Sequence, residues 1–219
     1  MLNKILLTFD DPDTETSYLA AARGAQAPAV RVLAVMGMSV LIVYILVNPA
    51  FLDSGSVIHF TVSAVIFIGV MALYYFLVGT SFYTTVRSID FCLFLSLQMI
   101  QTSMNFAQFI ESRSLHLTPL AIIDINVCVL LFFGAAAFAG SIFWFVMWAT
   151  SATLICAAVS FYLGGFEIRS VYGLLPVLTA YVLSIFLNWT VESKNREIYM
   201  LNVELEQRRR LAGSWNAAS

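Results

Sequence analysis

"QMIQTSMNFAQF", residues 98–109, decides how the rest of the chain is read. Gln98, Gln101, Asn105 and Gln108 follow one another at spacings of three, four and three. On a helix, residues three and four apart share a face, so this spacing lines up four amides in one stripe. In a soluble domain the stripe would face water. Here it sits in the middle of a chain that is 60% hydrophobic and 11% charged, with a mean hydropathy of +0.87. Soluble domains hold about 45–50% apolar and about 25% charged residues. The fold class implied is all-α and polytopic in a membrane, and the stripe must face protein or a wet cavity.

Working outward from the stripe, six segments reach the ~20 apolar residues that a spanning helix needs. They are Val32–Leu52, Val57–Val78, Ile89–Ile110, about Leu117–Phe138, Ser141–Leu163 and Val171–Val191. The expected layout is an N-terminal segment over 1–30, a six-helix membrane domain over 31–191, a helix over 192–212 and a short tail over 213–219. An even number of spans puts both termini on one side. Nine of the eleven Lys and Arg residues then share that side, Arg113 and Arg169 being the exceptions. The positive-inside rule makes it the cytoplasm. The first 28 residues, acidic around "DDPDTE" at 10–15, do not read as a cleavable signal peptide. Cys92, Cys128 and Cys156 are scattered, with no CxxC, and read as small buried hydrophobes. No cofactor is implied and nothing points to nucleic acid.

"NWTVESKNREIYMLNVELEQRRR", residues 188–210, turns charged without a Pro or Gly to stop a helix. Val191, Ile198, Leu205 and Ala212 recur every seven residues, and Leu201 lies three after Ile198. This is a short heptad seam with charged flanks, the pattern of a parallel dimeric coiled coil. An amphipathic helix whose basic end lies on anionic lipid is the other reading.

A six-helix block with short outer loops, leading into "ESKNREIYMLNVELEQ" at 192–207, resembles the membrane regions of bacterial class III adenylate cyclases. Similar blocks precede GGDEF diguanylate cyclases and some histidine kinases. The resemblance implies a location in the bacterial inner membrane. It also implies a homodimer in which the sixth helix feeds a catalytic domain. Glu192, Arg196, Ile198, Leu201 and Leu205 would then form the transducer. These 219 residues hold no GGDEF, no kinase core and no metal-binding aspartate pair of a soluble cyclase. The chain by itself cannot make a cyclic nucleotide.

Two readings of the stripe stay open. The amides of Gln98, Gln101, Asn105 and Gln108 join helices to one another, or they line a site for a small or lipophilic ligand. Asp124, in "LAIIDINVCV" with Asn126 close by, is an intramembrane carboxylate and so a functional candidate. Antiparallel packing of the third and fourth spans predicts its contact with Asn105 or Gln101. Asp90, at the start of the third span, reads as a helix cap. His59 and His116 start two different spans at similar depth and would be the ligands if the chain held haem or a metal. A membrane sensor or anchor that dimerises and drives a cytoplasmic output fits best. A small transporter or a haem- or metal-binding membrane protein is the alternative.

Overall fold

The computed structural model describes residues 2–3, 7–47, 54–86, 88–112, 119–138, 141–164 and 168–218. Side chains are described for these residues except 2–3, 54, 106–112, 119–125, 163–164, 169–170 and 212–218. The fold is all-α. A two-residue antiparallel pair, β1 (Leu2–Asn3) and β2 (Thr8–Phe9), precedes the helices.

Helix α1 (Pro12–Val47) begins where the sequence supplies a complete start signal. Asp11 caps it by accepting the backbone N–H of Thr14 at 3.0 Å and the Thr14 hydroxyl. Pro12 takes the first helical position, where a missing N–H costs nothing. The Thr14 hydroxyl and N–H hold the Asp11 carboxyl below the usual carboxylate range. The helix runs without a break through position 30, where the sequence suggested a boundary. Glu15, Tyr18, Leu19, Arg23, Ala27, Val30, Ala34 and Leu41 form its buried face.

Helix α2 (Ser54–Leu77) ends at Gly79, whose φ of +91° few other residues adopt without strain. A short α3 (Ser81–Thr85), capped by the Thr80 hydroxyl, leads to α4 (Ile89–Ser112). Helices α5 (Pro119–Ala137) and α6 (Ile142–Gly164) follow. Helix α7 (Ile168–Ala218) is one continuous rod of 51 residues. At 1.5 Å per residue it is roughly 75 Å long, against a hydrocarbon core of about 30 Å.

Helices α1, α2 and α4–α7 overlie the six apolar segments of the sequence. Among the described residues, helices α1, α2, α6 and α7 are long and apolar enough to cross a membrane. Their outward faces carry bare hydrophobes such as Val40, Ile58, Phe76, Leu154 and Val182, which suit lipid and not water. The chain is an all-α membrane protein.

Packing divides into two cores. Ala34, Leu41, Phe60, Phe67, Met71, Leu97 and Met104 join α1, α2 and α4. The larger core joins α4–α7 around Trp148, which is fully buried, and takes in Ala27 and Val30 of α1, Tyr74 of α2 and Tyr83 of α3. Its indole stacks on Phe138 at 5.6 Å and meets Phe94 edge-on at 5.0 Å. Gly134 makes this possible, because a Cβ there would lie 2.2 Å from Trp148 Cζ3. Asn188 of α7 donates to the carbonyl oxygens of Ala135 (3.0 Å) and Phe138 (3.1 Å), satisfying the end of α5. Gly134→Ala should therefore destabilise the purified protein by about 1–3 kcal/mol through overpacking. The check is its unfolding midpoint in mixed micelles. Adding Trp148→Phe should recover part of the loss, and an unchanged midpoint in Gly134→Ala would contradict the close approach.

Candidate functional site

Two polar constructions stand out, one at the start of α1 and one within the bundle. In the first, Arg196 of α7 is 1% exposed and lies between two carboxylates. It grips Glu15 with both terminal nitrogens, Nη1 to Oε2 at 2.6 Å and Nη2 to Oε1 at 2.9 Å. Its Nε donates to Glu192 one turn earlier, at 2.7 Å. The guanidinium lies 4.2 Å from the Tyr18 ring centre and 5.1 Å from that of Phe9. Tyr199 packs edge-on to Tyr18 at 5.3 Å. Glu15 Oε2 also accepts the backbone N–H of Phe9 at 2.8 Å. A planar fork that stacks on aromatics and binds carboxylates bidentately is what arginine, and not lysine, supplies.

One face of α1 repeats the device two turns further on. Arg23 pairs with Asp90 of α4 at 3.0 Å and donates to the carbonyl oxygens of Tyr83 (2.6 Å) and Val86 (2.8 Å). The Tyr74 hydroxyl donates to the other Asp90 oxygen at 2.9 Å. Asp90 is thus more than the helix cap its position suggested: it is a buried partner of Arg23, because α1 lays that arginine across the start of α4. Arg31, a further two turns along, closes the end of α2 by donating to Val78 O at 2.6 Å.

These contacts revise the expected transducer. Glu192 and Arg196 are not solvated flanks of a seam but the α7 half of a clamp on α1. Ile198, Leu201 and Leu205 behave differently, being 54–55% exposed. At 3.6 residues per turn they lie on the side of α7 turned away from Arg196.

Within the bundle the amide stripe splits. Asn105 is buried, and its Oδ1 accepts from Gln101 Nε2 at 3.1 Å and from Asn126 Nδ2 of α5 at 3.0 Å. Asn126 thus gives the third and fourth spans a polar contact, while the predicted contact of Asp124 falls on a side chain that is not described. The side chains of Asp124 and Gln108 lie outside the described residues. Gln98 is 1% exposed, and its Oε1 has no hydrogen-bond partner among the described residues. His59 is engaged by Ser103, with Nε2 at 3.1 Å from both its hydroxyl and its carbonyl oxygen. His116 lies outside the described residues. Among those described, no three His, Cys, Asp or Glu side chains gather as a metal site would require.

Gln101 and Asn126 also border a cavity of about 170 Å³ between α1, α2, α4 and α5. Apart from Tyr44, the remaining wall is apolar, with Phe60, Phe67, Phe94 and Phe133 prominent. Val40, Tyr44 and Val129 flank it and are themselves 45–54% exposed.

Compared with known proteins, the chain matches no family model, no curated protein and no solved structure. Arg196→Met should strand two buried carboxylates and cost about 3–5 kcal/mol. The readout is limited trypsin digestion, in which cleavage after the buried Arg23 should appear in the variant. Arg196→Lys should show intermediate cleavage, and wild-type digestion of both variants would contradict the clamp.

Proposed function

We propose that this chain is a six-span membrane sensor or anchor module of a bacterial inner membrane, acting as a homodimer through α7. Residues 31–191 form the membrane domain, 192–212 the transducer helix and 213–219 a tail. Both termini are cytoplasmic, as the nine-to-two distribution of Lys and Arg favours. The spans are the outer part of α1, then α2, α4, α5, α6 and the first half of α7. The output is a cytoplasmic signalling domain outside these 219 residues, a nucleotide cyclase by the resemblance of the membrane block and transducer.

The observation that carries the reading is the division of labour along α7. One face is locked to α1 by Arg196 and Glu192, while the other leaves Ile198, Leu201 and Leu205 bare. Bare apolar residues at a/d spacing in a charged helix favour a second copy of the helix as their cover. The heptad assignment places Glu204 at g and Arg209 at the following e. In a parallel dimer these two positions meet across the seam. Arg208 and Arg210 are already engaged within the helix by Glu204 (2.6 Å) and Glu206 (2.9 Å). A shift in the membrane helices, carried by a rigid α7 and by the clamp on α1, would rotate or scissor the two seams. The cavity beside Gln101 and Asn126 gives the membrane domain a place to take a small or lipophilic ligand.

Cysteine cross-linking in native membranes tests the dimer. Leu201→Cys, on the seam, should form a disulfide-linked dimer on mild oxidation. Val203→Cys, also exposed but off the seam, should stay monomeric. Equal yields at the two positions, or none at either, would contradict the proposal.

A further inference from the structure

The amide geometry of the cavity specifies the chemistry of its occupant. Gln101 and Asn126 both spend an N–H on the same atom, Asn105 Oδ1, at 3.1 and 3.0 Å. That shared acceptor fixes which way each carboxamide faces. The amino ends are turned toward Asn105, and the carbonyl ends are left over. Among the described residues, no donor reaches either carbonyl oxygen. Both residues border the cavity, and the rest of its wall offers hydrocarbon, aromatic faces and thioethers, with the phenol of Tyr44 at the exposed mouth. Two amide acceptors at the edge of an apolar cavity inside a membrane protein lack the water that would otherwise satisfy them.

Size narrows the occupant further. A dry apolar cavity of about 150 Å³ holds one benzene ring. The 170 Å³ here, walled by Phe60, Phe67, Phe94 and Phe133, suits a single ring in edge or offset contact with aromatics. The access route is through lipid, past the exposed Val40, Tyr44 and Val129.

We propose that this cavity binds a small, lipid-soluble aromatic molecule bearing one hydroxyl or N–H donor, which it directs at the carbonyl oxygens of Gln101 and Asn126. The ring fills the apolar slot and the donor completes the amide cluster. A bare hydrocarbon, a lipid tail included, would fill the slot but leave both acceptors unmade. This deepens the sensor reading by naming the class of ligand and rests on it for its purpose. Binding itself does not require α7 to dimerise.

The test uses the full chain in phospholipid nanodiscs and two probes, 4-fluorophenol and fluorobenzene, followed by ¹⁹F NMR line broadening against empty nanodiscs. The expected result is saturable broadening of 4-fluorophenol at a concentration about tenfold below that for fluorobenzene, the ratio that one good hydrogen bond provides. Gln101→Leu should bring 4-fluorophenol to the fluorobenzene level without abolishing either. Val129→Trp, a change at an exposed position of the mouth, should weaken both. Equal binding of the two probes to the wild type would overturn the proposal in favour of an unselective slot for hydrocarbon or lipid tails. Broadening no greater than in empty nanodiscs would overturn it as membrane partition alone. The Leu201→Cys cross-link, scored in the same nanodiscs, separates the two ideas. Loss of the cross-link with binding intact sinks the transducer and leaves the ligand site, and the reverse result does the opposite.

Discussion

A guanidinium buried between two carboxylates is the constraint around which the start of α1 and the second half of α7 are arranged. Removing charges from water costs several kcal/mol per ion unless each finds close, well-oriented partners. Arg196 finds them only if Glu15 and Glu192 converge on it, and Glu15 comes from a helix 181 residues earlier in the chain. So α1 must be helical from Pro12, its first turns must lie along α7, and Phe9 must fold back to contribute its N–H and its ring. The aromatic cover from Phe9, Tyr18 and Tyr199 excludes water and strengthens the pairing it shields. The charged second half of α7 is thereby tied to the first turns of α1.

The same logic repeats along α1 at decreasing charge. Arg196 meets Glu15, Arg23 meets Asp90, and Arg31 meets carbonyl oxygens at the end of α2 and the ring of Tyr75. Arg23 and Arg31 also serve a turn and a helix end whose backbone carbonyls would otherwise lack partners. Deeper in the bundle charges give way to amides: Asn105 gathers Gln101 and Asn126, and Asn188 closes the end of α5. The gradient from ion pairs to amides to bare hydrocarbon follows the falling capacity of the surroundings to solvate charge. It also explains why α7 can carry two different faces. Where the clamp takes up its polar residues, the apolar ones opposite, Ile198, Leu201 and Leu205, stay uncovered by the described residues.

The helices were legible because their signals are local and strong. Apolar runs of about 20 residues, the Gly79 stop and the uninterrupted "ESKNREIYMLNVELEQ" each decide their own stretch of chain. The polar stripe was legible as a stripe, and the link between α4 and α5 was legible in kind. The part that Asn126 plays in it was not, since neighbouring positions on a helix point up to half a turn apart and apolar context alone does not say which of them faces α4. The clamp was hidden for another reason. Glu15, Arg23 and Arg196 looked like surface charges, because sequence reading counts charges by side of the membrane and cannot see which of them face one another. One signal was available: Glu15, Leu19, Arg23, Ala27, Val30 and Ala34 keep a three-to-four spacing across "DTETSYLAAARGAQAPAVRVLA". That periodicity announces a buried helical face starting well before the apolar run, and it carried two charges that therefore needed partners.

The account stands on direct energetic coupling between Glu15 and Arg196, and a double-mutant cycle measures it. Unfolding free energies of the wild type, Glu15→Gln, Arg196→Met and the double variant, taken in the same mixed micelles, give the coupling by difference. A buried, bidentate pair predicts strong non-additivity, on the order of 2–3 kcal/mol, with the double variant little worse than Arg196→Met alone. Additive losses within about 0.5 kcal/mol would mean that the two side chains do not act on one another. The link between α1 and α7 would then fall with them.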